Sequence, residues 1–154
     1  MIHAKGQLKD IVVLRLEPGE LIIESIIAAC EERNIKGGAI LSISGSMDGA
    51  KFFTVQPMPQ LKAQFGYSEP EVLEGCVEML AGCGTITCFE NGKLNVHIHC
   101  SIGDGAGIAH GGHLIPGNKV LLTMEIVIGV FDGMDMTLKQ CPILDAPVLV
   151  PSER

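Results

Sequence analysis

A single stretch of helical periodicity, early in the chain, is followed by a long series of strand-like segments. Apolar side chains recur at helical spacing at Ile22, Ile26, Ala29 and Cys30. Residues 17–20 open the helix, because proline and acidic side chains suit a first turn. Asn34 and the glycines at 37–38 end it. Burying such a stripe contributes roughly 1.5–3 kcal/mol per large side chain, so it is interpreted as core and not as a cofactor site.

The strand-like segments occupy most of the remaining chain. In order they are residues 10–16, 39–44, 50–55, 72–80, 84–89, 94–101, 108–114, 120–130 and 136–138. Asp48-Gly49 and Asn91-Gly92 are hairpin signals between neighbouring segments. Residues 56–70, with three prolines, form the longest irregular stretch, and a second short helix is placed within 57–75. The pattern predicts an α/β chain of the α+β type, one domain with a mainly antiparallel sheet and about two helices.

The balance of charge and hydropathy bears on possible partners. Only 19% of the 154 residues are charged, against roughly 25% in an average soluble protein, and the mean hydropathy is +0.35. We therefore expect part of an apolar surface to be covered in a homo-oligomer. The net charge is −7 and the 11 lysines and arginines form no basic run, which argues against binding to nucleic-acid phosphates.

Neither the cysteines nor the apolar runs indicate secretion or membrane insertion. The six cysteines show no CxxC pair, which favours reduced thiols. The first apolar run, residues 11–14, is interrupted by Arg15 and Glu17, and the run 120–131 contains Glu125 and is too short for a span. A cytoplasmic protein without a membrane partner is expected.

Four of the five histidines lie between positions 97 and 113. On a strand, His97 and His99 face the same side, with Cα atoms roughly 6.6 Å apart, and can converge on one ion. The glycine-rich segment 103–107 is predicted to reverse the chain and bring His113 alongside. The pair Gly111-Gly112 lets the backbone approach closely. The alternative interpretation is a set of polar histidines on a half-exposed strand.

Three neutral imidazoles suit zinc best, with iron, nickel, copper and cobalt as further candidates. His110, three residues before His113, is an additional candidate ligand, although an extended strand turns it to the other face. Glu78 and Glu125 are flanked by apolar residues on both sides. They are candidates to accept a hydrogen bond from a metal-bound imidazole.

Several of these residues fall in motifs of a known family. The motifs are Arg15-Leu16-Glu17-Pro18-Gly19-Glu20, Leu73-Glu74-Gly75 with Glu78-Met79-Leu80 and Gly82, His97-Ile98-His99-Cys100-Ser101, and Gly111-Gly112-His113-Leu114 followed by Glu125. The sequence resembles the PPC (or PCC) domain, conserved in plants and prokaryotes, over about residues 3–142. We therefore assign residues 1–142 to a PPC-like domain and 143–154 to a C-terminal tail.

The resemblance implies further properties. It implies one α/β domain that assembles as a homotrimer and holds a metal, usually zinc, on His97, His99 and His113. His110 stands outside the family pattern. Prokaryotic members are commonly labelled predicted DNA-binding proteins. In the plant members that bind DNA, however, AT-hook segments contact the minor groove, and this acidic chain contains no such hook.

Three functions stay open at this point. The first is a zinc-binding homotrimer with a structural, sensing or small-ligand role. The second is a zinc-dependent enzyme that uses a metal-bound water in a fourth coordination position and a nearby glutamate as base. The third is a DNA-binding or transcription-associated protein.

Overall fold

The computed structural model covers residues 1–154 and contains one helix and ten strands. The elements are β1 (Gln7–Leu16), α1 (Ile22–Glu32), β2 (Gly38–Phe53), β3 (Val55–Pro57), β4 (Phe65–Tyr67), β5 (Glu71–Phe89), β6 (Leu94–Gly103), β7 (Ala109–Leu114), β8 (Val120–Asp132), β9 (Met134–Cys141) and β10 (Ala146–Glu153). Its only helix, α1, is too short to cross a membrane, and no other helix is present to do so.

Eight strands form the main sheet, in the order β1-β8-β2-β7-β6-β5-β9-β10. One edge of β2 pairs with β5, and its other edge pairs first with β8 and then with β7. Because β5 also pairs with β6, and β6 with β7, these strands and β2 form a closed ring of four. Every pairing is antiparallel except a short parallel contact between β5 and β9. The predicted α+β domain with a mainly antiparallel sheet is confirmed.

The prediction of a second helix within residues 57–75 is wrong. Residues 57–75 contain the end of β3, all of β4 and the beginning of β5. In the β3–β4 hairpin, Val55 lies opposite Tyr67 and Pro57 opposite Phe65. Prolines at 57, 59 and 70 remove the N–H donors that a helix interior needs, so a short hairpin is the better solution here. The first helix ends as predicted, with Asn34 in the left-handed region at a φ of 54°.

Two predicted turns have different outcomes. Asp48-Gly49 does not end a strand, because β2 continues through it to Phe53. Gly49 has a φ of 72°, and the register with β5 shifts between Asp48 and Ala50, which is a β-bulge. Glycine signals a bulge as readily as a turn, and this explains the misplaced break. Asn91-Gly92 does connect β5 to β6, with a φ of 82° at Gly92.

The hydrophobic core lies between α1 and the inner face of the sheet. The helix contributes the predicted stripe of Ile22, Ile26 and Cys30, all fully buried. Strands β2, β5, β6 and β8 contribute alternate residues; the largest of these include Phe52, Met79, Ile98 and Met124. At the C-terminal end, where the sequence indicated no strand, residues 146–153 add β10 to the edge of the sheet.

Candidate metal centre

Strand β6 carries two of the candidate ligands on its outer face. Val96, Ile98 and Cys100 are buried in the core, and His97 and His99 alternate with them. Burial of the apolar set fixes the orientation of the strand, because a slip by one residue would move every side chain to the other face. The core therefore determines that both imidazoles project outward.

Strand β7 brings the third imidazole. His113 is the cross-strand partner of His99 on β6 and of Phe53 on β2. The connection from β6 is the predicted reversal. In it, the Asp104 carboxylate accepts hydrogen bonds of 2.9 Å from the N–H groups of Ala106 and Ile108. The turn is thus held by its own side chain, and it fixes the register of His113.

The three imidazoles form one cluster. Ring centroids are 4.7 Å apart for His97 and His99, 4.4 Å for His97 and His113, and 5.7 Å for His99 and His113. One candidate ligand atom from each residue lies within 4.8 Å of the other two. Nitrogens bound tetrahedrally to zinc are about 3.3 Å apart, given bonds of about 2.0–2.1 Å. Small side-chain rotations therefore suffice, and the donor set fits a zinc ion.

Glycines allow the strands of this centre to approach each other. A Cβ on Gly111 would lie 2.5 Å from the carbonyl oxygen of Cys100, closer than real Cβ atoms come. A Cβ on Gly112 would overlap the carbonyl oxygen of Phe53 and lie 2.8 Å from Cδ2 of Phe52. The position of His113 therefore depends on the absence of side chains at the two preceding residues, as the sequence indicated.

The cluster favours uncharged imidazoles. Burial lowers the pKa of His97, and the neighbouring His99 lowers it further. For His113, burial first, and then His97 and His99, lower the pKa to about 4. Near neutral pH these two rings are therefore unprotonated, which is the state that binds a metal.

A tyrosine contacts the cluster from the β3–β4 hairpin. The Tyr67 hydroxyl lies 3.3 Å from Nδ1 of His113, and the two ring centroids are 5.1 Å apart. Tyr67 also stacks on Phe53, at 5.3 Å and 21° between planes. The sequence pattern does not single out Tyr67, because this residue lies in the proline-rich stretch predicted to be irregular. The apolar residues Val55, Phe65 and Tyr67 on either side of a proline-rich turn were the available signal for a hairpin.

Three other predicted residues lie outside the cluster. His110 places Nε2 2.9 Å from Oδ2 of Asp104 and so supports the β6–β7 turn, not the centre. Glu78 and Glu125 are exposed, and neither forms a hydrogen bond with a histidine. Their apolar neighbours face the core while the carboxylates face outward, which is ordinary strand alternation. The polar group that contacts a histidine of the cluster is the hydroxyl of Tyr67, at Nδ1 of His113, and not a glutamate carboxylate.

Fold and site together define a small α+β protein with a three-histidine centre on the outer face of its sheet. The chain belongs to the PCC family: residues 3–132 match the Plants and Prokaryotes Conserved (PCC) domain.

The chain is also similar to part of a larger protein. It is 32% identical over 123 residues to the bifunctional protein GlmU of Synechococcus sp. strain JA-2-3B'a(2-13). This match covers 80% of the present chain and 17% of GlmU. The chain thus spans about a sixth of the length of that relative.

Solved structures share the fold. The metal-containing protein of Archaeoglobus fulgidus superposes with a TM-score of 0.82 at 21% identity, covering 97% of this chain and 99% of that one. A candidate DNA-binding protein of Bacteroides thetaiotaomicron gives a TM-score of 0.76 at 18% identity, covering 94% and 96% of the two chains. At these identities the likeness concerns the fold.

Proposed function

We propose that this chain is a metal-binding PCC-domain protein that assembles as a homotrimer and holds one divalent transition-metal ion, zinc first, on His97, His99 and His113. The observation that carries the proposal is the convergence of three imidazole nitrogens within 4.8 Å on the outer face of the sheet.

The chemistry of the three ligands supports zinc. Imidazole nitrogen is a borderline donor that suits zinc, copper, iron and nickel, and the cluster includes neither a thiolate nor a carboxylate. The lowered pKa values of His97 and His113 keep their lone pairs available near neutral pH. The solved relative from Archaeoglobus fulgidus is described as metal-containing, which agrees with this assignment.

An exposed apolar patch on β1 and β2 supports assembly. Ile11 and Val13 are 60% and 68% exposed on the outer face of β1. Leu8 and Leu41, both about half exposed, approach each other over the surface of Gly129. A patch of this kind marks an interaction surface on a chain with few charged residues. That the partners are two further copies follows the family resemblance.

Metal analysis of protein purified without chelators and without a polyhistidine tag tests the proposal. The wild-type chain should carry about one equivalent of zinc, and the double variant His97→Ala, His99→Ala should lose it. His110→Ala is the matched control, because that histidine lies on the same strand as His113 but contacts Asp104, and the turn keeps the two backbone hydrogen bonds to Asp104 without it. The metal content of His110→Ala should match that of wild type. If the double variant also retained the metal content of wild type, the assignment of the ligands would be wrong.

The mass in solution tests the assembly. Light scattering should give three times the chain mass of 16.4 kDa. A monomeric mass for the metal-loaded protein would refute the trimer without affecting the metal site.

One observation favours a second candidate function, a zinc-dependent enzyme. The cluster supplies three protein ligands and no fourth, and His99 is exposed, so a bound ion would have room for water or a small ligand as its fourth partner. Catalytic zinc sites keep such a position open, whereas structural sites close it. When bound, zinc would act there as a Lewis acid on a small ligand. The protic group beside the cluster is the Tyr67 hydroxyl, and not Glu78 or Glu125.

A further inference from the structure

We infer that Tyr67 is a positioning residue of the metal centre. Its hydroxyl oxygen accepts a hydrogen bond from the Nδ1–H of His113, and the ring therefore presents Nε2 to the ion. This inference rests on the proposed metal function and assigns to the β3–β4 hairpin a part in it.

The contact distinguishes His113 from the other two ligands. Its Nδ1 lies 3.3 Å from the Tyr67 hydroxyl, whereas neither His97 nor His99 has a hydrogen-bond partner for a ring nitrogen. An imidazole has two nitrogens, and the hydrogen bond of one determines which nitrogen remains free for a metal. With Nδ1 engaged by Tyr67, Nε2 is the nitrogen of His113 that can bind.

The direction of the hydrogen bond follows from metal binding itself. If the tyrosine hydroxyl donated to Nδ1, the imidazole proton would sit on Nε2, and neither nitrogen could bind an ion. If Nδ1–H donates to the hydroxyl oxygen, Nε2 carries a free lone pair. A metal-loaded centre therefore requires the second arrangement, and Tyr67 stabilises it.

The hairpin holds Tyr67 in this place by several contacts. At its base, the Ser68 N–H donates to the Thr54 carbonyl at 2.9 Å, and the two side-chain hydroxyls lie 3.3 Å apart. The Tyr67 ring stacks on Phe53, which is itself the cross-strand partner of His113. Tyr67 and His113 thus both lie against Phe53, so β2 determines their relative position.

Zinc affinity of Tyr67→Phe tests the inference. The phenylalanine ring keeps the stack on Phe53 and removes only the hydroxyl. Zinc binding, measured by competition with a chromophoric chelator, should weaken about 10–100-fold, as for other hydrogen-bond partners of metal ligands. Phe65→Leu is the matched control, since Phe65 lies two residues before Tyr67 on the same hairpin strand, and the ring contacts to His113 come from Phe53 and Tyr67 instead. The zinc affinity of this control should equal that of wild type.

Nitrogen-15 NMR of the zinc-loaded protein separates a lost hydrogen bond from a packing defect, because the chemical shifts of the two His113 ring nitrogens report which one is protonated and which one binds zinc. In wild type, His113 should show a protonated Nδ1 and a metal-bound Nε2, and Tyr67→Phe should shift the Nδ1 resonance most. Equal zinc affinity in wild type and Tyr67→Phe, or zinc on Nδ1 of His113, overturns the role of Tyr67 and leaves the three-histidine site standing. Wild-type protein that binds no zinc overturns both.

Discussion

Alanine at position 112 would place a methyl group where β7 and β2 have no room for one. The new Cβ would overlap the Phe53 carbonyl oxygen and lie 2.8 Å from Cδ2 of Phe52, whereas ordinary contact begins at 3.4 Å. Phe52 is fully buried and cannot rotate away. The strand that carries His113 must therefore move outward by at least about 0.6 Å.

Two magnitudes follow from this displacement. Overpacking of this kind costs about 1–3 kcal/mol, offset by about 0.4–1 kcal/mol because alanine restricts the unfolded chain more than glycine does. The net loss is about 1.3 kcal/mol at mid-range and about 2.6 kcal/mol at most, which lowers the Tm of a chain this size by about 3–10 °C. Zinc–nitrogen bond lengths vary by only about 0.2 Å, so the His113 side chain would have to rotate away from its preferred position to follow the displaced strand, and zinc affinity should fall about tenfold.

Thermal unfolding and chelator competition measure the two effects in one preparation of Gly112→Ala. The matched control is Gly105→Ala, because a Cβ on Gly105 meets no atom within 4 Å. The control should keep its Tm and its zinc affinity. If Gly112→Ala also kept both, the close approach of β7 to β2 would not set the position of His113.

Two further predictions concern pH and nucleic acid. Acid should destabilise the metal-free protein. Folding lowers the pKa of His97, and it lowers the pKa of His113 to about 4. The unfolded chain therefore binds protons at a higher pH than the folded chain, and stability falls as the pH drops from 6.5 toward 4. The urea midpoints of unfolding at about pH 7.5 and pH 5 measure this loss of stability. The loss should be smaller in His113→Gln. A wild-type midpoint that does not change with pH would contradict the prediction. On heparin or duplex DNA at about 0.15 M salt, the chain should not be retained, because its net charge is −7; retention that salt reverses would instead support DNA binding.

The alternation of side chains along a strand and the presence of a glycine-rich turn made the candidate centre predictable from the sequence. His97 and His99 had to share a face because the residues between and around them are apolar. The glycine-rich segment 103–107 could only be a turn, and it brought His113 beside His99. These features depend on local sequence, and local rules were sufficient for them.

Features that depend on distant parts of the chain were not predictable in this way. Tyr67 reaches His113 across 46 residues of sequence, and nothing near either residue indicates the contact. The bulge at Gly49 was mistaken for a turn, since a positive φ serves both, and only pairing with β5 distinguishes them. Glu78 and Glu125 were candidates to accept a hydrogen bond from a metal-bound imidazole because apolar residues flank them, but both carboxylates are exposed and contact no histidine.

The closed ring of β2, β5, β6 and β7 makes the three-histidine cluster depend on pairing between strands that lie far apart in the chain. His97 and His99 are available as soon as β6 exists, but His113 reaches its final place only when β7 has joined β2, a strand made some sixty residues earlier in synthesis. Two imidazoles on a nascent strand hold an ion weakly, and three hold it well. On the proposed metal function, tight binding of an ion would require that β7 has already paired with β2, and a bound ion would mark chains in which this pairing is complete.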